Sequence, residues 1–172
     1  MLLKDIKLPF INKIKVYAFV GPSGTGKSYR AQMIASERGI SFIIDDGLLI
    51  KENEVIAGES AKKAATKVAT VKHALFYEES EREPIIKAFK KYKPESILIL
   101  GTSDGMVQKI AANLGLPEIS ETIYITDVAT EEEMKTAKMI RTTQGKHVIP
   151  VPTFEIKKDF SMNPFFYAIS SL

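Results

Sequence analysis

The chain has no cysteine, which excludes disulfides and thiolate metal sites and makes a cytoplasmic setting the expectation. Arginine is scarce: Arg30, Arg38, Arg82 and Arg141 are the only examples among the basic residues. Arginine is the usual side chain for stabilising charge on a transferring phosphoryl group, so this short set bounds the candidates for that role. Excess charge of one sign is also missing. The 24 Lys+Arg and 21 Asp+Glu leave a formal net charge of +3. That balance gives no electrostatic case for nucleic acid or a membrane surface, and aromatic and basic residues do not interleave as in a single-strand binder. No apolar run approaches a membrane span in length, and the early apolar residues are interrupted by Lys4, Asp5 and Lys7, unlike a signal peptide. The two histidines, His73 and His147, have no ligand partner at helical spacing and do not complete a Ser-His-Asp order. Repeats, low-complexity tracts and linkers are absent, so one nucleotide-binding domain over residues 1–172 is expected.

What is present is concentrated in one motif. Residues 21–28 read Gly21, Pro22, Ser23, Gly24, Thr25, Gly26, Lys27, Ser28, with the glycines, lysine and serine at the spacing of a phosphate-binding loop. The preceding run Ile14–Val20 is β-branched and aromatic, as a buried strand is. The following segment carries Met33 and Ile34 and stops at Gly39, as a helix does. Glycines at Gly21, Gly24 and Gly26 let backbone N–H groups turn around an anion, and the next helix presents its positive end to it. Lys27 is the residue that reaches the β- and γ-phosphates, and Ser28 offers its hydroxyl to Mg²⁺. A nucleoside triphosphate with Mg²⁺ is thus the expected ligand pair; the loop itself carries no base-specificity motif that separates ATP from GTP.

Strands and helices alternate along the rest of the chain. Ser41–Ile44 reads as a strand ending in Asp45-Asp46-Gly47, and 48–57 as a hairpin. Residues 61–77 read as helical, with Val68, Val71, Ala74 and Leu75 on one face. Ser80 and Glu83 suggest a capping box for the next helix, and Ser96–Leu100 is a buried strand followed by Gly101-Thr102-Ser103-Asp104. A further helix carries Met106, Val107, Ile110, Ala111 and Leu114, and Thr122–Ile125 is another strand. Beyond it a helix over 130–143 and an extended segment over 148–156 are expected, while Leu8-Pro9-Phe10-Ile11 reads as an edge strand or arm. This order predicts an α/β fold, three layers with a mostly parallel sheet flanked by helices, and a site at the C-terminal ends of the strands.

Asp45 and Asp46 lie at such a strand end. One carboxylate there can hold Mg²⁺ and the other can accept a proton from a substrate hydroxyl or water. We assign Asp45 with Ser28 to the metal and Asp46 with Lys27 to catalysis; on sequence alone the aspartates are interchangeable. The same Asp-Gly pair also favours a turn whatever its function. Thr102, Ser103 and Asp104 can sit near the γ-phosphate, but Ser103 and Asp104 are also good helix caps. Lys62, Lys63, Lys67 and Lys72 form either a lid over phosphates or a solvated helix face. Arg141 and Lys146 suit a helix C-terminus, and Asp127 follows the last strand.

The loop, the Arg38-Gly39 step, the Ile-Ile-Asp-Asp strand end and the hairpin after it resemble the nucleotide-binding core of HPr kinase/phosphorylase, over about the first third of the chain. That resemblance implies ATP on the loop, Mg²⁺ on the serine, and proton transfer by one of Asp45 and Asp46. The same segment also resembles shikimate-kinase-like small-molecule kinases. Two functions follow as expectations: a kinase-like phosphotransferase, or a nucleotide-binding regulatory or scaffold protein. For the second, the apolar Phe165-Phe166-Tyr167-Ala168-Ile169 segment would be a surface for a protein partner.

Overall fold

The structure, a computed structural model, describes residues 9–128. Its organising element is β1 (Lys15–Val20), whose alternate side chains enter two different cores. Val16, Ala18 and Val20 point to one face and Phe19 to the other, as the two-residue period of a strand dictates. Beyond the exposed Lys15 both faces are covered, as the apolar run to Val20 requires.

The chain leaves β1 through the glycine loop into α1 (Lys27–Glu37) and returns as β2 (Phe42–Asp45). The antiparallel strands β3 (Leu48–Lys51) and β4 (Glu54–Gly58) follow, then α2 (Lys67–Ala74), α3 (Glu79–Tyr92) and β5 (Ser96–Gly101). Helix α4 (Asp104–Asn113), β6 (Ile119–Tyr124) and the short α5 (Ile125–Val128) complete the described residues. The six-stranded sheet has the order β4-β3-β2-β5-β1-β6. Strands β6, β1, β5 and β2 run parallel, and β3 and β4 extend the β2 edge antiparallel. Helix α1 covers one face through Ala31, Ile34 and Ala35, against Phe19, Ile43, Leu98 and Leu100. Helices α3 and α4 cover the other through Ile85, Phe89, Val107 and Ile110, against Val16, Ile44, Ile97 and Ile99. The expected α/β class with three layers and a mostly parallel sheet is therefore observed. Among the described residues no helix is long and apolar enough to cross a membrane.

This topology sets the site. Parallel strands end on one side, so the loop after β1, the Asp45 end of β2, the Thr102 end of β5 and the Tyr124 end of β6 share one edge of the sheet. Strand β5 lies between β1 and β2, and the amide of Gly21 continues its pairing by donating to the Gly101 carbonyl at 3.1 Å.

Three local expectations are corrected. The edge-strand alternative for the first segment is not met over Pro9–Ile11: Pro9 and Phe10 form a turn into a 3-10 turn at Ile11–Lys13, and Ile11 is buried. The helix expected over 61–77 is split into a 3-10 turn, Ala61–Lys63, and α2. Thr66 adopts an extended backbone and caps α2, its Oγ1 accepting from the Ala69 amide at 3.0 Å, so helix cannot run through it. Val68 and Val71 consequently face solvent, 66% and 58% exposed, while Phe76 takes the core position. The N-cap of α3 is Glu78, two residues before the Ser80 cap expected, because Glu78 and Glu81 form the capping box and the Glu78 amide donates to Glu81 Oε1 at 2.9 Å. The helix expected over 130–143, the segment 148–156, Arg141, Lys146, His147 and the apolar run 165–169 lie outside the described residues.

Candidate functional site

The phosphate loop joins a buried strand to the start of α1. Gly26 is the N-cap of α1 with φ +88°, a backbone conformation that a side chain resists, and helix begins at Lys27. Thr25 is buried and its hydroxyl donates to the Pro22 carbonyl at 2.6 Å, bracing the loop across its own width. Lys27 Nζ donates to the same carbonyl at 3.1 Å, so the ammonium lies over the loop rather than extending into solvent.

Ser28, on the first turn of α1, faces the end of β2. Its Oγ donates to Asp45 Oδ2 at 2.8 Å. Sequence put both residues at a metal; the fold brings them into contact across the strand gap occupied by β5. A hydroxyl and a carboxylate are hard oxygen donors of the kind Mg²⁺ takes, and Mg²⁺ typically completes its shell with phosphate oxygens and water. Among the described residues no group of three or more His, Cys, Asp or Glu is placed to hold a metal ion by itself.

Asp46 is turned elsewhere. Asp46 and Gly47 are the two central residues of the β2–β3 hairpin, with φ of +56° and +85° and Asp45 paired to Leu48. Two left-handed residues make the mirror-image turn that suits the strand twist, and Asp-Gly is a preferred sequence for it. Turn and acidic site are thus the same residues. The Asp46 carboxylate accepts the Ser60 hydroxyl at 2.9 Å, and the Asp46 carbonyl accepts the Ala61 amide at 2.9 Å. Burial raises the Asp46 carboxyl above its ordinary 3.8, and the Asp45 charge pushes the same way; the Lys62 ammonium, the Ser60 hydroxyl and the Lys62 amide oppose them. Of the lysine run, Lys62 is therefore beside Asp46, whereas Lys72 lies over the Tyr77 ring at 5.0 Å.

Behind the turn stands His73 of α2. Its Nε2 is 2.7 Å from the Glu59 carbonyl and its Nδ1 is 2.6 Å from Glu81 Oε2. Partial burial pulls its pKa down, but the Glu59 carbonyl and the Glu81 carboxylate outweigh it and hold the imidazole above 6.5. The ring packs on Gly47, where an added Cβ would meet His73 Cδ2 at 2.9 Å and the Glu59 carbonyl at 2.5 Å.

On the far flank, Ser103 caps α4 by accepting the Met106 amide at 3.2 Å, one of the two roles its sequence offered. Tyr124 donates to Asp104 Oδ1 at 2.9 Å, tying the ends of β6 and β5 together beside β1, and that bond raises the phenol pKa. Asp127 falls in α5, and Arg30, on α1, donates to the Val128 carbonyl at 3.1 Å. Arg38 pairs with Glu121 at 3.2 Å, and Arg82 donates to the Phe76 and Tyr77 carbonyls at 3.0 and 2.7 Å. Ser60 was not among the sequence candidates. Its one local signal is a small hydroxyl residue ahead of Ala61-Lys62-Lys63, the signature of a cap.

Comparison with curated proteins finds no match to the chain. Residues 17–122, from within β1 to within β6, match the family model described as ATPase family associated with various cellular activities (AAA). That match spans more than half of the chain, which therefore belongs to the AAA family and carries a nucleotide-binding P-loop domain.

Proposed function

We propose that this protein is a Mg²⁺-dependent, ATP-cleaving phosphotransferase in which Asp46 accepts a proton from the attacking hydroxyl or water. The observation that carries the reading is the division of labour between adjacent aspartates. Asp45 meets the loop serine, while Asp46 is held apart by Ser60 in a partly buried turn that raises its proton affinity. A carboxylate outside the metal pair is free to take a proton, and a metal-bound carboxylate is a poorer base.

Residues 21–28 would hold the phosphates, Lys27 exchanging its contact with the Pro22 carbonyl for the β- and γ-phosphate oxygens. Ser28 and Asp45 would hold the cation. Mg²⁺, when bound, supplies charge neutralisation on the transferring group. Proton acceptance at the Asp46 carboxylate would raise the nucleophilicity of the acceptor oxygen as it attacks phosphorus. The resemblance of the first third of the chain to HPr kinase/phosphorylase supports the kinase-like assignment, with a hydroxyl as the acceptor. The test is release and transfer of label from γ-labelled ATP with Mg²⁺. An Asp46→Asn protein should bind Mg²⁺–ATP with near wild-type affinity and lose about 10²-fold or more in turnover. Wild-type turnover in that variant would overturn the role.

A second reading, a nucleotide-dependent regulatory or scaffold module, is favoured by one observation. Helix α2 exposes Val68 and Val71 just beyond the segment that touches Asp46. Under that reading, Mg²⁺–ATP alters hydrogen exchange over residues 59–76 while turnover stays near zero; unchanged exchange there would count against it.

A further inference from the structure

We propose that Ser60 is the positioning residue for Asp46, fixing the direction of its carboxylate from a clamp formed by residues 60–62. The inference rests on the reading of Asp46 given above. A hairpin turn presents its side chains to solvent, so an aspartate there ordinarily samples several rotamers. A base has to hold one direction, because a displacement of about 1 Å can cost about 10²-fold in rate.

The clamp supplies that restraint from fourteen residues away in sequence. Ser60 Oγ donates to Asp46 Oδ2 at 2.9 Å while accepting the Lys62 amide at 3.2 Å. With a lone pair engaged by that amide, the Ser60 hydroxyl proton is directed at Asp46 rather than free to rotate. The Ala61 amide fixes the Asp46 backbone through its carbonyl at 2.9 Å. Side chain and main chain of one residue are thus held by three consecutive residues. The clamp is itself anchored: Ala61 is fully buried, and the Glu59 carbonyl is engaged by His73 Nε2 at 2.7 Å. Since Ser60 also caps the 3-10 turn at Ala61–Lys63, its positioning role has to be separated from a merely structural one.

Three variants do so in the turnover of Mg²⁺–ATP. Ser60→Ala removes hydroxyl and cap. Ser60→Gly removes the hydroxyl at little cost to capping, and Ser60→Thr keeps both functions. The expected result is a fall of about 10- to 100-fold in kcat for the Ala and Gly variants, with KM for ATP within about twofold and near wild-type kcat in the Thr variant. Wild-type kcat in Ser60→Gly, a loss confined to KM, or failure of Thr to rescue would each overturn it. Asp46→Asn is measured alongside. Normal Ser60→Gly turnover beside inactive Asp46→Asn overturns the role of Ser60 alone. Normal turnover in Asp46→Asn, or none in the wild type, overturns the reading of Asp46 and this inference with it.

Discussion

Ser28 Oγ donates to Asp45 Oδ2 at 2.8 Å, joining the first turn of α1 to the end of β2 across the sheet edge. The contact fixes which of two adjacent aspartates is oriented toward the phosphate loop. Strand alternation sends successive side chains to opposite sides, so commitment of Asp45 to Ser28 leaves Asp46 to the turn and to Ser60.

If Ser28 and Asp45 hold the cation together, removing either should abolish the Mg²⁺ dependence of nucleotide binding. For Asp45→Asn and Ser28→Ala the expected affinity for ATP in Mg²⁺ falls about 10- to 100-fold, toward the value in chelator. Calorimetric titration with and without Mg²⁺ checks this. A wild-type Mg²⁺ increment in Asp45→Asn would rule out that carboxylate as a ligand.

Gly47 should be intolerant of any side chain. Its φ of +85° and the approach of the Glu59 carbonyl and His73 leave no room for a Cβ. Gly47→Ala should cost about 2–5 kcal/mol, the sum of left-handed strain and overpacking. Urea unfolding reads the loss. A midpoint shift corresponding to less than about 0.5 kcal/mol would mean that the turn relaxes without resistance.

His73 should make stability depend on pH with a defined sign. Its folded pKa is raised, so the folded state binds the proton more tightly than the unfolded state. The contribution is therefore fully present below about 6.5, the unfolded value, and is lost as pH rises through the folded pKa. The groups facing the ring are the Glu81 carboxylate and the Glu59 carbonyl, both acceptors that favour imidazolium. Substitution by Gln should cost about 1 kcal/mol at pH 6, discounted for partial exposure, and less at pH 8.5. Urea midpoints at the two pH values test this. A cost that grows with pH would contradict the sign.

The phosphate loop was legible because it is local. Eight consecutive residues carry the glycines, the lysine and the serine, and flanking apolar runs give the strand and the helix. Asp45 and Asp46 were legible for the same reason, as acids at the end of a short apolar strand, though adjacency alone did not say which would meet Ser28. Ser60 was not legible, because its contact with Asp46 exists only once the β3–β4 hairpin brings Gly58 back beside Gly47. Val68 and Val71 misled in the opposite direction. Their three-residue spacing predicts a buried face, but the cap at Thr66 and the left-handed Phe76, φ +56°, reset the helix so that Phe76 and Ala74 face inward. Periodicity reports which residues share a face; it does not say on which side the rest of the protein lies.

The most direct test of the account is a crystal structure with a non-hydrolysable ATP analogue and Mn²⁺ in place of Mg²⁺, the ion located by its anomalous signal. Triphosphate is expected on residues 21–28, with the ion at Ser28 Oγ and the Asp45 carboxylate beside it. Asp46 should remain on Ser60, away from the ion. An ion held by Asp46 with Asp45 turned aside, or an analogue bound away from the loop, would contradict it.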